Sequence, residues 1–391
     1  MRGLVWHTMA PTKKMEADFL IVGSGLTGAV IARKLADARQ SVLVLERRSH
    51  LGGNVHDHKH ESGIRIHTYG PHYFRTNNEK IWSFVNGFST FYKYEPMLKS
   101  YVDGAFENWP VADSYVRRLV GEDWRPEFTG QPGNFEEAAL AMMPRRVYEK
   151  FIKAYSEKQW GVSAQQLSPL LAGRFDVRAD NEPRLTRHIY QGLPRGGYAG
   201  FMQSLLAGIR VVLDCNYLRH QNEFSARRGI VFTGPVDDYF GCDLGRLKYR
   251  GQKREHTYLP DLDFSQPCGQ VNNPDPNHGP HIRTLEWKHM MEPAEIRNIQ
   301  GTVLTRETTI TPADKNDFEY PFPDEANARL FAAYRERARK IPRLLICGRL
   351  GEYRYYDMDQ AIGRAMLLAI RMLDRLAENP DALLMDECSK D

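Results

Sequence analysis

The strongest constraint on the fold is a glycine-rich turn between an apolar run and a helical pattern near the N-terminus. Residues 18–22 (Asp-Phe-Leu-Ile-Val) form the apolar run, and the turn after it places glycines at Gly23, Gly25 and Gly28. Apolar residues then recur at helical spacing, and a second apolar run ends at Glu46. A strand, a helix and a strand within about thirty residues predict a parallel sheet covered by helices.

The glycine spacing also has a chemical meaning. The first glycine permits a tight turn, the second lets the backbone approach a pyrophosphate, and the third lets the helix pack on the strand. N–H groups at the start of the helix would then face the anion. Glu46 ends the second strand, where a carboxylate can accept hydrogen bonds from both hydroxyls of a ribose. The alternative is a glycine turn that serves the fold alone.

The segment directly after Glu46 distinguishes a flavin from a nicotinamide cofactor. It reads Arg47-Arg48-Ser-His-Leu-Gly52-Gly53-Asn54, and its glycine pair lets a second loop approach the cofactor. This arrangement is typical of oxidase-like flavoproteins. A second fingerprint for NAD(P)H does not occur in the sequence. We therefore expect a flavin site without a reductase domain.

Composition excludes several other functions. The chain has 391 residues and a net charge of +4 without a block of five like charges, which gives no support to nucleic-acid binding. No apolar run reaches the ~18 residues of a membrane span. The five cysteines are scattered and form no CxxC pair, which indicates a cytoplasmic protein with free thiols. Residues 1–15 are expected to be an upstream extension or a tag.

Three further patterns carry candidate sites. His56, His58 and His60 alternate and would share one face of a strand, but a solvated loop is favoured over a metal site, and no metal is predicted. His72 lies among aromatic residues in 69–74 and is either a core residue or a functional one. Residues 348–359 run from a buried strand into the last helix, where Asp357 or Asp359 could cap a helix directed at the flavin.

Several stretches together resemble the FAD-dependent UDP-galactopyranose mutases. They are Tyr-Ser-Glu-Lys-Gln-Trp-Gly at 155–161, Gly-Gly-Tyr at 196–198, Thr-Gly-Pro at 233–235 and the run at 348–358. These stretches follow the family's order, and the resemblance covers about residues 17–379. It implies an α/β fold with a Rossmann-like FAD-binding domain, a helical-bundle insert and an antiparallel β-sheet domain.

We expect the FAD-binding domain to be discontinuous, with each insert interrupting it. The expected boundaries are 16–88, 198–245 and 334–380 for the FAD-binding domain, 110–190 for the helical domain with a mobile loop, and 89–109 and 246–330 for the β-sheet domain.

The activity implied by the resemblance is an isomerisation that uses the flavin as a nucleophile, with no net redox change. N5 of reduced FAD attacks C1 of the sugar, the ring opens, and it recloses as a furanose. The expected reaction converts UDP-galactopyranose to UDP-galactofuranose, in glycan or antibiotic biosynthesis. The same chemistry on UDP-N-acetylgalactosamine or on a GDP- or dTDP-hexose is the first alternative. An amine-oxidase-like flavoenzyme and a flavin-containing binding protein are more remote. The expected partners are a nucleotide-sugar, an external reductant and a second copy of the chain.

The resemblance also implies roles for individual residues. The expected catalytic residues are Arg174, Arg283 and His72. The expected substrate-binding residues are Phe151, Tyr155, Trp160, Asn273, Tyr320, Tyr355 and Arg75. The expected cofactor-binding residues are Gly23, Gly25, Thr27, Gly28, Glu46, Arg47, Gly53, Asn54, His72, Tyr73, Arg349, Asp357 and Met358. Two guanidinium groups suit a diphosphate leaving group because planar donors match its oxygens.

Two positions depart from the family pattern. Arg75 stands where many galactose enzymes have a histidine before the threonine, and Leu185 stands where a further tyrosine on the phosphate side is usual. Neither change affects the flavin chemistry. Both concern the identity of the sugar and the base.

Overall fold

The computed structural model describes residues 14–379, apart from the side chain of Arg174. Residues 1–13 of the expected extension lie outside this range, but Met15 belongs to the fold because it begins the first strand. Within the described residues the strands are β1 (Met15–Val22), β2 (Val42–Leu45), β3 (Asp57–Lys59), β4 (Arg65–His67), β5 (Phe74–Thr76), β6 (Phe91–Lys93), β7 (Leu98–Val102), β8 (Ala105–Trp109), β9 (Val111–Ala112), β10 (Val177–Arg178), β11 (Tyr190–Pro194), β12 (Arg210–Val212), β13 (Phe224–Phe232), β14 (Tyr249–Leu259), β15 (Gln270–Asn272), β16 (Arg283–Glu286), β17 (Thr302–Ile310), β18 (Tyr320–Pro321) and β19 (Leu344–Ile346).

The helices of the same range are α1 (Leu26–Asp37), α2 (Glu79–Asn86), α3 (Asp113–Val120), α4 (Phe135–Leu140), α5 (Arg145–Tyr148), α6 (Ala154–Trp160), α7 (Gly197–Leu205), α8 (Tyr217–His220), α9 (Val236–Tyr239), α10 (Pro293–Ile296), α11 (Glu325–Ala338), α12 (Gly348–Gly351) and α13 (Met358–Glu378). A π-helical turn, Glu149–Lys153, joins α5 to α6. None of these helices is long and apolar enough to cross a membrane.

The first sheet is parallel, as the sequence predicts. Its strand order is β12-β2-β1-β13-β19, and every neighbouring pair is parallel. All four residues of β2 are buried because both faces of the sheet are covered. Helices α1 and α13 pack against each other on one face, and Tyr334 of α11 belongs to the apolar cluster on the other face.

The second sheet has seven strands in the order β18-β14-β17-β16-β15-β7-β8. All of its neighbouring pairs are antiparallel except β15 with β7. Strands β7 and β8 form a hairpin at one edge of this sheet. The fold class is therefore confirmed as α/β with a Rossmann-like sheet, a helical region and a largely antiparallel sheet.

The helical region between residues 113 and 174 packs around an apolar core that it shares with Leu98 and Trp109 of β7 and β8. Helix α6 is tied to the second sheet by polar contacts rather than by apolar packing alone. Lys158 donates to the carbonyl oxygens of Asn273 and Asp275, at 3.2 and 2.6 Å. Arg250 of β14 donates to the carbonyl oxygen of Gln159 at 3.1 Å. These contacts fix the helix against the sheet. The exact division into three domains remains a prediction.

The glycine turn offers a direct test of this architecture. A Cβ atom at Gly28 would lie 2.0 Å from the carbonyl oxygen of Gly23, whereas a Cβ at Gly25 would meet nothing within 4 Å. We expect Gly28→Ala to lower the free energy of unfolding of the apoprotein by about 1–3 kcal/mol, because helix and strand must move apart. Chemical denaturation measures this change.

Gly25→Ala is the matched control. We expect it to leave the stability of the apoprotein within about 0.5 kcal/mol, because Gly25 has a φ of −64° that alanine also adopts. It should nevertheless reduce the FAD content of the purified protein if the backbone at this turn approaches the cofactor. Equal destabilisation by both substitutions would contradict the assigned roles of the two glycines.

Candidate active site

A first cavity of about 1190 Å³ lies at the carboxyl ends of the parallel strands. The turn after β1, the loop after β2, the segment after β13 and the start of α12 all contribute to its wall. Of the expected cofactor-binding residues it is lined by Gly23, Gly25, Thr27, Gly28, Glu46, Arg47, Gly53, Asn54, His72, Arg349 and Met358. Parallel sheets of this type bind ligands at this edge.

The turn at the start of α1 fits the pyrophosphate of a dinucleotide. Gly25 is the N-cap of α1 and provides no side-chain cap, so the first N–H groups of this helix are left for a ligand. The first turn of α1 contains no acidic residue that would repel an anion. Gly53 packs against this turn, since a Cβ on it would lie 3.1 Å from the Cα of Gly25. Two backbone loops thus approach the same space.

Glu46 is held in place for a ribose. Its Oε2 accepts hydrogen bonds from the backbone N–H and the hydroxyl of Ser24, both at 2.7 Å. Its Oε1 accepts from the backbone N–H of Arg48 at 2.9 Å. Each carboxylate oxygen has a further acceptor site. The geometry of this cavity therefore fits FAD.

The loop after β2 is also tied to the second sheet. Arg48 donates to the Oδ1 of Asn54 at 2.9 Å and to the carbonyl oxygen of Asn316, and its guanidinium lies over the ring of Tyr69. Asn54 in turn donates to the carbonyl oxygen of Phe318 at 3.2 Å. The cofactor loop thus holds the backbone just before β18.

A second cavity of about 1110 Å³ adjoins the first. Asn54, His72, Arg349 and Met358 line both, so the two cavities meet at these side chains. The second cavity collects the expected residues Tyr73, Arg75, Arg283, Tyr320, Tyr355 and Asp357 together with Leu185. Tyr73 and Asp357 line this second cavity rather than the expected cofactor cavity.

The second cavity combines a cation with phenol groups. The rings of Tyr320 and Tyr355 stack with centroids 5.9 Å apart, and the guanidinium of Arg349 lies 4.7 Å from the ring of Tyr355. Burial raises the pKa of Tyr320, so its hydroxyl remains a hydrogen-bond donor. Arginine and tyrosine donors directed at one space suit a phosphorylated ligand.

Arg283 is part of a buried chain of four charges. It donates from Nε to Glu307 at 2.5 Å, and Glu307 also accepts from Nε of Arg254 at 2.8 Å. Arg254 forms a second, two-pronged contact with Glu319 at 2.8 and 2.9 Å. Burial opposes the charge of Arg283, but the Glu307 carboxylate outweighs this and raises the pKa of Arg283 well above its usual value. Arg283 is therefore a fixed cation.

His72 lies at the junction of the two cavities. Its Nδ1 lies 2.7 Å from the carbonyl oxygen of Gly70, so this nitrogen carries the proton and Nε2 is an acceptor. Burial, and then the charge of Arg349, lower the pKa of His72 to about 3. His72 is therefore neutral at physiological pH, which fits a residue beside a cofactor that becomes negatively charged on reduction.

Arg75 and Asp357 form an ion pair in the second cavity, with Nη2 and Oδ2 2.9 Å apart. Asp357 is also the N-cap of α13 and takes part in a capping box with Gln360. Of the two residues that the sequence offered as caps, Asp357 and Asp359, the structure places Asp357 at the N-cap position. Arg75, which departs from the family pattern, is therefore connected to the N-cap of α13.

The structure does not bring every expected substrate residue to the second cavity. Phe151 is only 1% exposed, packs between Trp109 and Tyr115, and is not among the residues that line the second cavity. Its expected role in substrate binding stays a prediction. Trp160 is buried against Phe322. Asn273 is buried, and its amide nitrogen donates to the carbonyl oxygens of His278 and His281, which makes it a loop anchor here.

Two expected residues of the helical region have a different standing. Tyr155 lies on α6, near enough to Arg283 to contribute to the electrostatics of that guanidinium. Arg174 ends the 3₁₀ segment Pro169–Arg174, and its side chain lies outside the described part of the chain. Its expected role stays a prediction.

The alternating histidines differ in exposure, because His58 is exposed on β3 whereas His56 and His60 are half-buried. His56 stacks on His50 with ring centroids 3.8 Å apart, and both His56 and His58 contact the hydroxyl of Thr68 at 2.9 Å. His56 is half-buried rather than solvated. Among residues 14–379, no group of three or more acidic, histidine or cysteine side chains is arranged to hold a metal ion.

Sequence reasoning missed several side chains of the site. Gln270, Leu98, Trp109 and Glu319 line the second cavity, and Arg254 and Glu307 connect Glu319 to Arg283 behind its wall. The only signal for Glu319 is its place next to Tyr320. Charged residues that alternate along a strand usually face solvent, so the pattern gave no sign of burial.

Comparisons with known proteins relate this chain to sugar mutases. A family model described as UDP-galactopyranose mutase matches residues 150–355, and one described as an NAD(P)-binding Rossmann-like domain matches residues 21–88. The chain is 32% identical to the dTDP-fucopyranose mutase of Escherichia coli, covering 89% of this chain and 96% of that protein. It is 30% identical to the probable UDP-galactopyranose mutase of Klebsiella pneumoniae, covering 93% and 97%.

Solved structures give the same fold. A crystal structure of reduced UDP-galactopyranose mutase matches with a TM-score of 0.68 at 14% identity, covering 92% of this chain and 96% of that one. A redesigned putrescine oxidase matches with a TM-score of 0.55, also at 14% identity, over 92% and 99%. The fold is therefore shared with oxidases, whereas the sequence relationship is with mutases. The chain belongs to the UDP-galactopyranose mutase family, whose members are FAD-dependent isomerases.

Proposed function

We propose that this enzyme interconverts UDP-galactopyranose and UDP-galactofuranose. The observation that carries the proposal is the junction of the two cavities at Asn54, His72, Arg349 and Met358. This junction lets a dinucleotide in the first cavity present its reactive ring to a ligand in the second. When bound, reduced FAD supplies a nucleophilic nitrogen for the anomeric carbon of the sugar, with no net redox change.

The side chains of the second cavity would bind and orient the nucleotide-sugar. Arg283, fixed by Glu307, would bind the diphosphate together with the hydroxyls of Tyr320 and Tyr355. A fixed cation stabilises both the bound diphosphate and the charge that grows as the sugar–phosphate bond breaks. We assign Arg174 the same task from the helical region. His72 would stay neutral beside the cofactor.

A second candidate substrate is dTDP-fucopyranose. Two features of the second cavity favour it. Leu185, Leu98 and Trp109 give the wall an apolar part, and the carboxylate of Asp357 is paired with Arg75. Fucose lacks the 6-hydroxyl of galactose, and thymine carries a methyl group that uracil lacks. An apolar wall suits the extra methyl group of thymine. A carboxylate already paired with an arginine does not need the 6-hydroxyl that fucose lacks. The relative from Escherichia coli carries this substrate in its name.

We further propose that the enzyme is a cytoplasmic homodimer that takes its electrons from an external reductant. Among residues 14–379, no disulfide links Cys215, Cys242, Cys268 and Cys347, which agrees with a reducing compartment. The division into three domains with the boundaries given above is part of the same proposal. The apolar cluster that gathers most of the buried side chains of the helical region supports a helical domain, although Leu98, Val102 and Trp109 of β7 and β8 share that cluster.

The first prediction concerns the redox state of the holoenzyme. We expect dithionite-reduced enzyme to form a furanose product from UDP-galactopyranose or dTDP-fucopyranose, and oxidised enzyme to form none. The physical reason is that oxidised flavin has no nucleophilic nitrogen to offer. Anaerobic incubation with each nucleotide-sugar, including UDP-N-acetylgalactosamine and a GDP-hexose, followed by chromatography measures this. Absence of a furanose product from every sugar would refute the proposal.

The second prediction concerns substrate choice. Arg75→His removes the partner of Asp357 and leaves more room in the cavity, so the carboxylate can accept a sugar hydroxyl. We expect the ratio of kcat/KM for UDP-galactopyranose over dTDP-fucopyranose to rise about tenfold. Steady-state kinetics with both substrates measures the ratio.

Arg187→His is the matched control, because Arg187 pairs with Asp180 on the surface at a similar distance of 2.7 Å. This variant should keep the parental ratio. An unchanged ratio in Arg75→His would show that the Arg75–Asp357 pair does not select the sugar.

A further inference from the structure

The charged chain behind the second cavity contains one residue whose role the reaction does not by itself explain. Arg254 is not among the residues that line either cavity, yet it contacts both carboxylates of the chain. Glu307 has no exposed side-chain surface, and that of Glu319 is 3% exposed. Two buried carboxylates beside a phosphate-binding site would repel a diphosphate unless cations neutralise them.

We infer that Arg254 is a positioning residue for nucleoside diphosphate binding: it occupies Glu319 and one oxygen of Glu307, and so leaves the terminal nitrogens of Arg283 to the ligand. The inference rests on the proposed function, since it takes the diphosphate as the ligand of Arg283. It adds a residue outside the cavity to the binding machinery.

Geometry supports a division of labour between the two arginines. Arg283 gives its Nε to Oε2 of Glu307, and Arg254 gives its Nε to Oε1 of the same carboxylate. Both terminal nitrogens of Arg254 then contact Glu319, in a two-pronged pairing that suits a carboxylate. Each carboxylate oxygen of the chain thus has an arginine partner. The terminal nitrogens of Arg283 are not needed for either carboxylate.

The chain has little freedom to rearrange. A Cβ on Gly70 would lie 2.8 Å from Oε1 of Glu307, 3.1 Å from Nη2 of Arg254 and 3.4 Å from Nη2 of Arg283. Gly70 has a φ of +88°, and it leads directly to His72 at the cavity junction. The backbone turn therefore closes over the three charged groups and holds them in this order.

The charge balance yields a sharp expectation. Two arginines and two glutamates sum to zero beside the cavity. Without Arg254 the sum is negative, and Glu319, on which the charge of Arg283 already acts, becomes a competitor of the diphosphate for that guanidinium. Without the charge of Glu319 the sum is positive. Removal of both returns it to zero.

The experiment measures the Kd of UDP, and in parallel of dTDP, for FAD-loaded enzyme by calorimetry. We expect Arg254→Met to weaken binding of the preferred nucleotide about tenfold. Glu319→Gln should tighten it about threefold, and the double variant should return to within about threefold of the parent. A purely structural role of Arg254 would not be rescued by a second substitution, so the rescue separates the two explanations.

Arg306→Met is the matched control, because Arg306 is an exposed arginine next to Glu307 on β17. It should leave the Kd within about twofold of the parent, because solvent screens the lost charge. If Arg254→Met does not yield folded, FAD-loaded protein, Glu319→Gln and the double variant still test the charge balance.

Three outcomes would decide against the inference. An unchanged Kd in Arg254→Met, an equal loss in the double variant, or an unchanged Kd in Glu319→Gln would each overturn it while leaving the proposed function in place. A parent enzyme that binds neither UDP nor dTDP would overturn the proposed function first, and the inference with it.

Discussion

The parallel pairing of β1, β2, β13 and β19 is the constraint on which the rest of the molecule depends. Because parallel strands end at the same edge, this pairing gathers chain segments from residues 23, 46, 233 and 348 around one cavity. The strands of the second sheet and the helical region lie between these parallel strands in the sequence. In the fold, both lie next to the same edge of the parallel sheet. Asn54 and Arg48 complete the connection by holding the backbone before Tyr320.

A second principle operates inside the antiparallel sheet, where charge rather than apolar surface fills the space behind the ligand site. Buried ion pairs of this kind rarely add stability compared with apolar residues of the same volume. Their value here is orientation, since Glu307 fixes the guanidinium of Arg283 on one side only. The family relationship accounts for the chemistry, and the second sheet accounts for the fixed orientation of the Arg283 guanidinium.

Much of the framework was predictable because it rests on local patterns. The turn at Gly23–Gly28, the first strand–helix–strand unit and the last helix follow from local patterns, whereas the roles proposed for Arg283 and Tyr320 come from the family resemblance. Arg254 and Glu307 could not be predicted, because a charged residue in a strand looks the same in the sequence whether it is buried or solvated. The burial of Phe151 was not predictable for a related reason, since motif position does not reveal which way an aromatic ring faces within a helical core.

The hydrogen bonds from Arg48 and Asn54 to the backbone at residues 316 and 318 have a consequence for how the two ligands affect each other's affinity. These hydrogen bonds join the loop after β2, which lines the cofactor cavity, to the segment that leads into β18 and Tyr320. A ligand that holds one of these segments in place would therefore also hold the other. The two ligands should therefore behave as thermodynamically linked, each increasing the affinity of the other even where they never touch.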